Sequence, residues 1–325
     1  MKKFLSIALA LLMVCVMLPV VALAAEKTAS TYEELKSAIS TANDGDTIKL
    51  LADIDLSQTI TVNKTITLNM NGKKLYNTSD LWDKPTAEAN NWSLISVRGS
   101  GNLTITGNGT FAAKENDCYA VDVQESATVT IKNGTFIGNI HAVYVFAGTA
   151  NVEGGTYSVQ QKYPDSAKGD EFVLNCYDAN RANGTARINV TGGTFKNFNP
   201  ADNKAEGEGN NFADNSLVVQ KNNTVQNNDY YVGNAANEVI AAASKGEEIF
   251  VLNGTTLTNV PAGVIIQNRT GDRITVNGKD VELTGDAGYT VPASNITIIV
   301  PGDTIPAETP KTEDQKNPST GANDF

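Results

Sequence analysis

The two tryptophans of the chain, Trp82 and Trp92, lie close together in one polar stretch that also carries Asp83. A flat indole can stack on the face of a sugar ring while neighbouring carboxylates bond its hydroxyls or hold a cation such as Ca²⁺. Two later polar stretches add Tyr163, Asp165 and Asp170, and then Phe198, Asp202, Phe212 and Asp214. Together these types could recognise a hydroxyl-rich ligand. The plainer alternative is that the rings pin long loops to the body of the protein and the acids keep its surface soluble. Ca²⁺ is the one cofactor the acids suggest; no other is expected.

Catalysis finds less support. His141 is the single histidine, with no Ser, Cys or acidic partner nearby in sequence, and it is expected at a surface corner. A hydrolase needs two carboxylates at one height, and a lyase needs a base beside clustered Ca²⁺ ligands. Glu125 and Glu153 stand alone. In the stacking derived below, Asp122 meets Tyr144 and then the region of Leu174, so no acidic cluster forms. No Cys/His metal spacing, phosphate loop or nucleophile elbow is present. No catalytic residue is expected.

The elements that must position these residues follow from a repeated phrase: a short β-branched strand, a turn on Gly or Asn-Gly, then Gly-Thr-aromatic. It occurs at Leu103–Ile105 with Gly109-Thr110-Phe111, at Val129–Ile131 with Gly134-Thr135-Phe136, at Val152 with Gly155-Thr156-Tyr157, and at Ile188–Val190 with Gly193-Thr194-Phe195. The first copy has one extra residue before its Gly. Each copy is followed by a second alternating strand, such as Val121/Val123 or Val143/Val145. One such unit cannot bury its apolar side chains or pair its backbone, whereas stacked units do both. The pattern predicts an all-β solenoid of parallel strands, with Val, Ile and Leu inward, Thr and Asn outward, and an interior aromatic column. The long insertions at 76–93, 158–171 and 196–215 all fall at one point of the unit and are expected to project from one side.

Open ends of such a stack need covers. Ser30-Thr-Tyr-Glu33 reads as a capping box opening a helix with Tyr32, Leu35, Ile39 and Ala42 on one side, so residues 25–45 are expected to cap residues 46–233. A second helix over Ala235–Lys245, with strands at Glu248–Leu252, Val264–Ile266 and Arg273–Val276, predicts a small α+β C-terminal cap or second domain over 234–300. From Pro301 to Phe325 the sequence is polar and proline-rich and is expected to be a disordered tether.

Residues 1–24 carry Lys2 and Lys3, an apolar run from Phe4 to Val21, and Ala22-Leu23-Ala24, the pattern of a cleaved export signal. Cleavage takes two of the 25 basic residues and none of the 36 acidic ones, so the net charge moves from −11 to about −13. That balance argues against nucleic acid as a partner, and no membrane span is expected after cleavage. The expected place is outside the cell. Cys118 and Cys176 are expected as free thiols, because two strand spacings of about 4.8 Å exceed the reach of a disulfide.

The run Gly45-Asp46-Thr47-Ile48-Lys49-Leu50, followed by Thr59–Val62 and Thr65–Gly72, resembles the opening of pectate-lyase-like domains in surface proteins of Gram-positive bacteria. With the Gly-Thr-aromatic units the likeness covers about residues 30–233 and implies a right-handed parallel β-helix. That superfamily includes lyases, hydrolases, adhesins and passive stalks, and fold alone does not choose among them. Asn317-Pro318-Ser319-Thr320-Gly321 resembles the sorting pentapeptide of sortase substrates. The resemblance implies that a sortase would cleave after Thr320 and join the chain to peptidoglycan. The family pattern continues into an apolar helix and basic tail, whereas four residues follow Gly321 here, so a longer chain is expected. The leading expectation is a monomeric, wall-displayed, non-catalytic binding or adhesion protein with a glycan or host surface protein as ligand. A polysaccharide lyase or glycoside hydrolase, and a passive spacer, are the alternatives.

Overall fold

Alternation of β-branched and polar residues along short segments, interrupted at regular intervals by Gly and Asn, gives strands that turn corners instead of running on. The computed structural model describes residues 24–82, 92–161, 172–200, 211–212, 218–221, 229–253, 256–282 and 288–293. The export signal, the tether and the pentapeptide 317–321 lie outside the described residues.

The chain visits three sheets in rotation. Sheet A stacks Glu26–Ala29, Thr47–Leu50, Thr65–Asn69, Asn102–Thr106, Thr128–Ile131, Gly148–Val152, Ala186–Val190 and Asn211–Phe212, each parallel to its neighbours. Sheet B takes the next strand of each circuit: Ile54–Asp55, Lys74–Tyr76, Thr110–Ala112, Thr135–Gly138, Thr156–Val159 and Gly193–Lys196. Sheet C takes the third: Ile60–Val62, Ser93–Val97, Tyr119–Val123, Val143–Val145 and Leu174–Cys176. The protein is thus predominantly β, with long parallel sheets compatible with a parallel β-helix.

Register follows the repeated phrase. Leu103, Val129, Ala150 and Ile188 fall opposite one another, as do Ile105, Ile131, Val152 and Val190, and all are buried. The intervening Thr104, Thr130, Asn151 and Asn189 face outward, where Asn189 donates to Asn151 at 2.9 Å. In sheet B the aromatic residues form a column. Phe111 stacks on Phe136 at 4.8 Å, Phe136 on Tyr157 at 5.1 Å, and Tyr157 on Phe195 at 5.1 Å, all fully buried. Gly134, Gly155 and Gly193, which open three copies of the phrase, adopt φ of +118°, +99° and +121°, a region that disfavours any Cβ. In the first copy the extra residue moves that duty upstream, to Gly107 and Asn108 at φ +90° and +50°.

At the N-terminal end, helix α1 (Tyr32–Thr41) packs Leu35, Ala38 and Ile39 onto the core. Its capping box sits one residue later than the sequence suggests: the Thr31 hydroxyl accepts from Glu34 N at 3.2 Å, and Glu34 accepts from Ser30 N at 2.7 Å. Thr31 wins because its backbone is extended while residue 32 is already helical. Strand Glu26–Ala29 precedes the helix and pairs with Thr47–Leu50.

Toward the C-terminus sheet B changes character. Asp229–Val232 pairs antiparallel with both Gly193–Lys196 and Val218–Lys221, and Glu248–Asn253 and Ile265–Asn268 continue the sheet. Helix α2 (Asp178–Ala182) lies between sheets C and A, and helix α3 (Asn234–Ala241) follows the antiparallel strand. A second apolar cluster, including Ile240, Ile249, Val251, Leu257, Ile266 and Ile274, is separate from the main core. All described residues through Pro292 nevertheless belong to one compact unit.

Candidate functional site

On the outward face of sheet C, one residue from each of its five strands falls into a single row. Thr61, Ser96, Asp122, Tyr144 and Asn175 are in direct register. Their inward neighbours Ile95, Val97, Val121, Val123, Val143, Val145 and Leu174 fill the core. Outward residues of a solvent-facing sheet are normally wet, yet Ser96, Asp122 and Asn175 are buried.

Asp122 accepts from Ser96 Oγ at 2.9 Å and from Gln124 Nε2 at 2.7 Å. Burial pushes its carboxyl up to about 6, while the two hydrogen bonds and the nearby Arg98 charge pull the other way. The isolated acids are accounted for structurally. Glu125 accepts from Gly99 N at 2.7 Å, and Glu153 pairs with Lys132.

Alongside the polar row runs a chain of rings. Trp92 meets Trp82 edge-on at 4.8 Å, and Trp82 meets Tyr119 at 5.2 Å. Tyr119 lies 4.8 Å from His141 and 5.2 Å from Tyr144, His141 stacks on Tyr144 at 5.3 Å, and Phe172 closes the series 6.4 Å from His141. The rings meet because Tyr119, His141 and Phe172 each stand two residues before the paired Val121, Val143 and Leu174. Trp92 is 44% exposed, Trp82, Tyr144 and Phe172 are half-buried, and Tyr119 and His141 are buried.

Trp82 is positioned by a carboxylate that the sequence reading passed over. Buried Asp117 accepts from the backbone N–H of Leu81 and of Trp82, each at 2.9 Å, and from Asn77 Nδ2 at 2.6 Å. Asn77 Oδ1 in turn accepts from Lys114 N at 2.8 Å. Buried amides without partners are costly, so this network fixes the start of the tryptophan loop.

His141 is buried, not a surface corner as its sequence surroundings suggest. The connection from sheet B is so tight there that a Cβ on Gly138 would lie 1.6 Å from the His141 carbonyl oxygen, and the turn folds the ring in among its aromatic neighbours. Nδ1 lies 2.7 Å from the Phe172 carbonyl, which can only accept, so Nδ1 carries the proton. Burial lowers the imidazole to about 4, so it is neutral. Phe198, expected on the loop face, is fully buried against Phe195 at 6.3 Å and extends the interior column, so its ring is not offered to a ligand. Asp83, Tyr163, Asp165, Asp170 and Asp202 lie outside the described residues. Cys118, just before the strand Tyr119–Val123, and Cys176, two strands on in sheet C, are free and buried.

A stacked pair at the other end of sheet C went unnoticed in the sequence. Phe146 and Tyr177 each follow the paired Val145 and Cys176, lie 4.9 Å apart at 23°, and are 39% and 43% exposed. Register was the signal that could have found them. Among the described residues no group of three or more His, Cys, Asp or Glu could hold a metal ion, and the acids considered for Ca²⁺ lie outside them.

Asp122 and His141 respond oppositely to pH. Asp122 titrates near 4 unfolded and about 6 folded, so the folded state holds the extra proton between those values and stability falls as pH rises through them. His141 titrates near 6.5 unfolded and about 4 folded, so across that window the unfolded state holds the proton and stability rises with pH. The two slopes cancel from roughly pH 4 to 6. Asp122→Asn removes one of them. Denaturation of that variant is expected to show roughly 3 kcal/mol of stability lost between pH 6.5 and 4 beyond any loss in the parent. Parallel curves for the two proteins would contradict the assigned burial.

Comparison of the chain with protein-family models, with curated proteins and with solved structures finds no match in any of the three.

Proposed function

We propose that the chain is an exported right-handed parallel β-helix that binds a glycan along the outward face of sheet C and does not transform it. The observation that carries this reading is the continuous series of rings from Trp92 to Phe172, bordered by the row Ser96, Asp122, Tyr144 and Asn175. Sugar rings present apolar C–H faces and polar rims, and aromatic faces beside hydrogen-bonding side chains complement both. The export signal, the pectate-lyase-like opening and the sorting-like pentapeptide 317–321 fit display on a cell wall through sortase, with the polar tether as spacer. Binding to a host surface protein by the same face is the variant of this reading that a glycan screen would separate.

The test is a glycan array probed with the exported chain and with a Trp82→Ala, Trp92→Ala double variant. Removing both indoles is expected to weaken glycan binding by about 10-fold or more, equivalent to roughly 1.4 kcal/mol. Undiminished binding by a folded double variant would dispose of the aromatic platform.

One observation favours hydrolysis as a second reading. Asp122 is a carboxyl that burial raises to about 6, the direction a general acid needs, but among the described residues it stands without the second carboxylate that a hydrolase uses. Incubation with neutral glycans and polyuronates, with and without Ca²⁺, separates the two. Sustained product release that Asp122→Asn abolishes would establish the enzyme.

A further inference from the structure

The acceptor atom Asn175 Oδ1 has no hydrogen-bond partner among the described residues, although Asn175 is only 7% exposed. Buried side-chain oxygens in folded proteins are almost always bonded, and an orphan calls for a reason. Its orientation follows from its neighbour. His141 Nδ1–H donates to the Phe172 carbonyl, so the neutral ring leaves Nε2 as an acceptor. Asn175 Nδ2, 3.4 Å from that Nε2, is therefore the donor side of the amide. Oδ1 must point the other way, and turning the amide over would set two acceptors against each other.

The surroundings restrict what could satisfy it. Asn175 sits opposite Tyr144 in register, with His141 stacked on Tyr144 and Phe172 edge-on to His141. Asp122, the charged member of the row, is two strands away, roughly 10 Å at the spacing of parallel strands. A ligand carboxylate would meet a lone pair in a low-dielectric setting, and among the described residues an ammonium would have no counter-charge within contact. A neutral hydroxyl meets neither penalty. Oδ1 itself has no open surface, so a hydroxyl reaches it by displacing the half-exposed rings of Tyr144 or Phe172 beside it.

We propose that Asn175 Oδ1 accepts a hydroxyl of a neutral sugar ring seated at Tyr144, and that this acceptor selects neutral glycans over uronic acids. The inference rests on the glycan-binding reading above and assigns its specificity. Asn175 is a binding residue here; its backbone pairing holds the strand whatever its side chain does.

Asn175→Leu keeps the volume, removes the orphan oxygen and loses only the long bond to His141. Titrations with cellohexaose, xylohexaose, mannohexaose, chitohexaose and a hexagalacturonate measure the parent and the variant. The expected result is a melting temperature equal to or above the parent's, with affinity for the bound neutral hexaose at least 10-fold lower. An asparagine retained for folding alone would give the reverse, a lower melting temperature with affinity unchanged, and that overturns the proposal. If the variant does not fold, the Asn175 side-chain amide resonances of the parent decide, since a hydroxyl on Oδ1 shifts the Nδ2 protons and an absent shift overturns it. A parent that binds only the hexagalacturonate refutes this specificity while leaving glycan binding intact. A parent that binds none of the five refutes both.

Discussion

Phe136→Ala is expected to destabilise the protein by about 3–5 kcal/mol, the range for removing a buried aromatic ring from a core. Phe136 is the second ring of four in the column, sandwiched between Phe111 at 4.8 Å and Tyr157 at 5.1 Å, with nothing of it exposed. A cavity there loses contact on both faces. Its walls are strands held by parallel pairing above and below, so they cannot collapse inward without breaking register. The corner Gly134, whose Cβ position lies 3.3 Å from the Phe136 ring, is shaped to that ring as well. Thermal or denaturant unfolding reads the effect, with a midpoint lowered by roughly 10 °C. Because circuits touch only their neighbours, the loss is expected to broaden the transition as the stack breaks near its middle. Phe136→Leu, which fills most of the space, should cost about half as much or less. Equal effects for the two variants would mean that the column does not bear on stability as described.

Asp117→Ala is expected to free the start of the tryptophan loop. The carboxylate satisfies three buried or half-buried donors at once, the amides of Leu81 and Trp82 and the side chain of Asn77. Stranding such donors costs about 1–3 kcal/mol each when they stay buried, so the segment is expected to leave its seat and hydrate them. Trp82 then separates from Tyr119 and Trp92, which should shift tryptophan emission to longer wavelength and open residues near 81 to proteolysis. On the glycan-binding proposal, binding should fall with it, through the displaced indole. Asp117→Asn keeps the shape but turns one acceptor into a donor that faces N–H groups, so it should reproduce much of the effect. Unchanged emission and protease resistance in both variants would show that the loop is held by something else.

These two residues mark how far the sequence could be read. Phe136 was legible because Gly-Thr-aromatic recurs with a β-branched strand before it, and a residue type that repeats once per circuit must stack on itself. The alternation that put Val129 and Ile131 inward is a local property of extended backbone, and it holds wherever strands form. Asp117 was not legible. It belongs to a connection without periodicity, and its partners lie 35 to 40 residues earlier in the chain.

The candidate site divides in the same way. That Asp122 would meet Tyr144 could be counted from the repeat, and the next neighbour, Asn175, stands one residue beyond the region of Leu174 that the counting reached. That the tryptophans stand near each other followed from their spacing. Their junction with Tyr119 and His141 did not, because it depends on how a long connection and a short one fold back over the same strand ends.

By itself, then, the sequence determined the strands, their phase and the interior column, since each is set by local alternation and a repeat of similar units. Tertiary structure alone decided that Phe198 belongs to the core, that His141 is buried and neutral, and that Ser96, Asp122 and Asn175 lie under cover on a face whose pattern reads as solvent-exposed. The reason is physical: a strand's alternation says which side a residue faces, while burial on the outward side depends on side chains delivered by other segments of the chain.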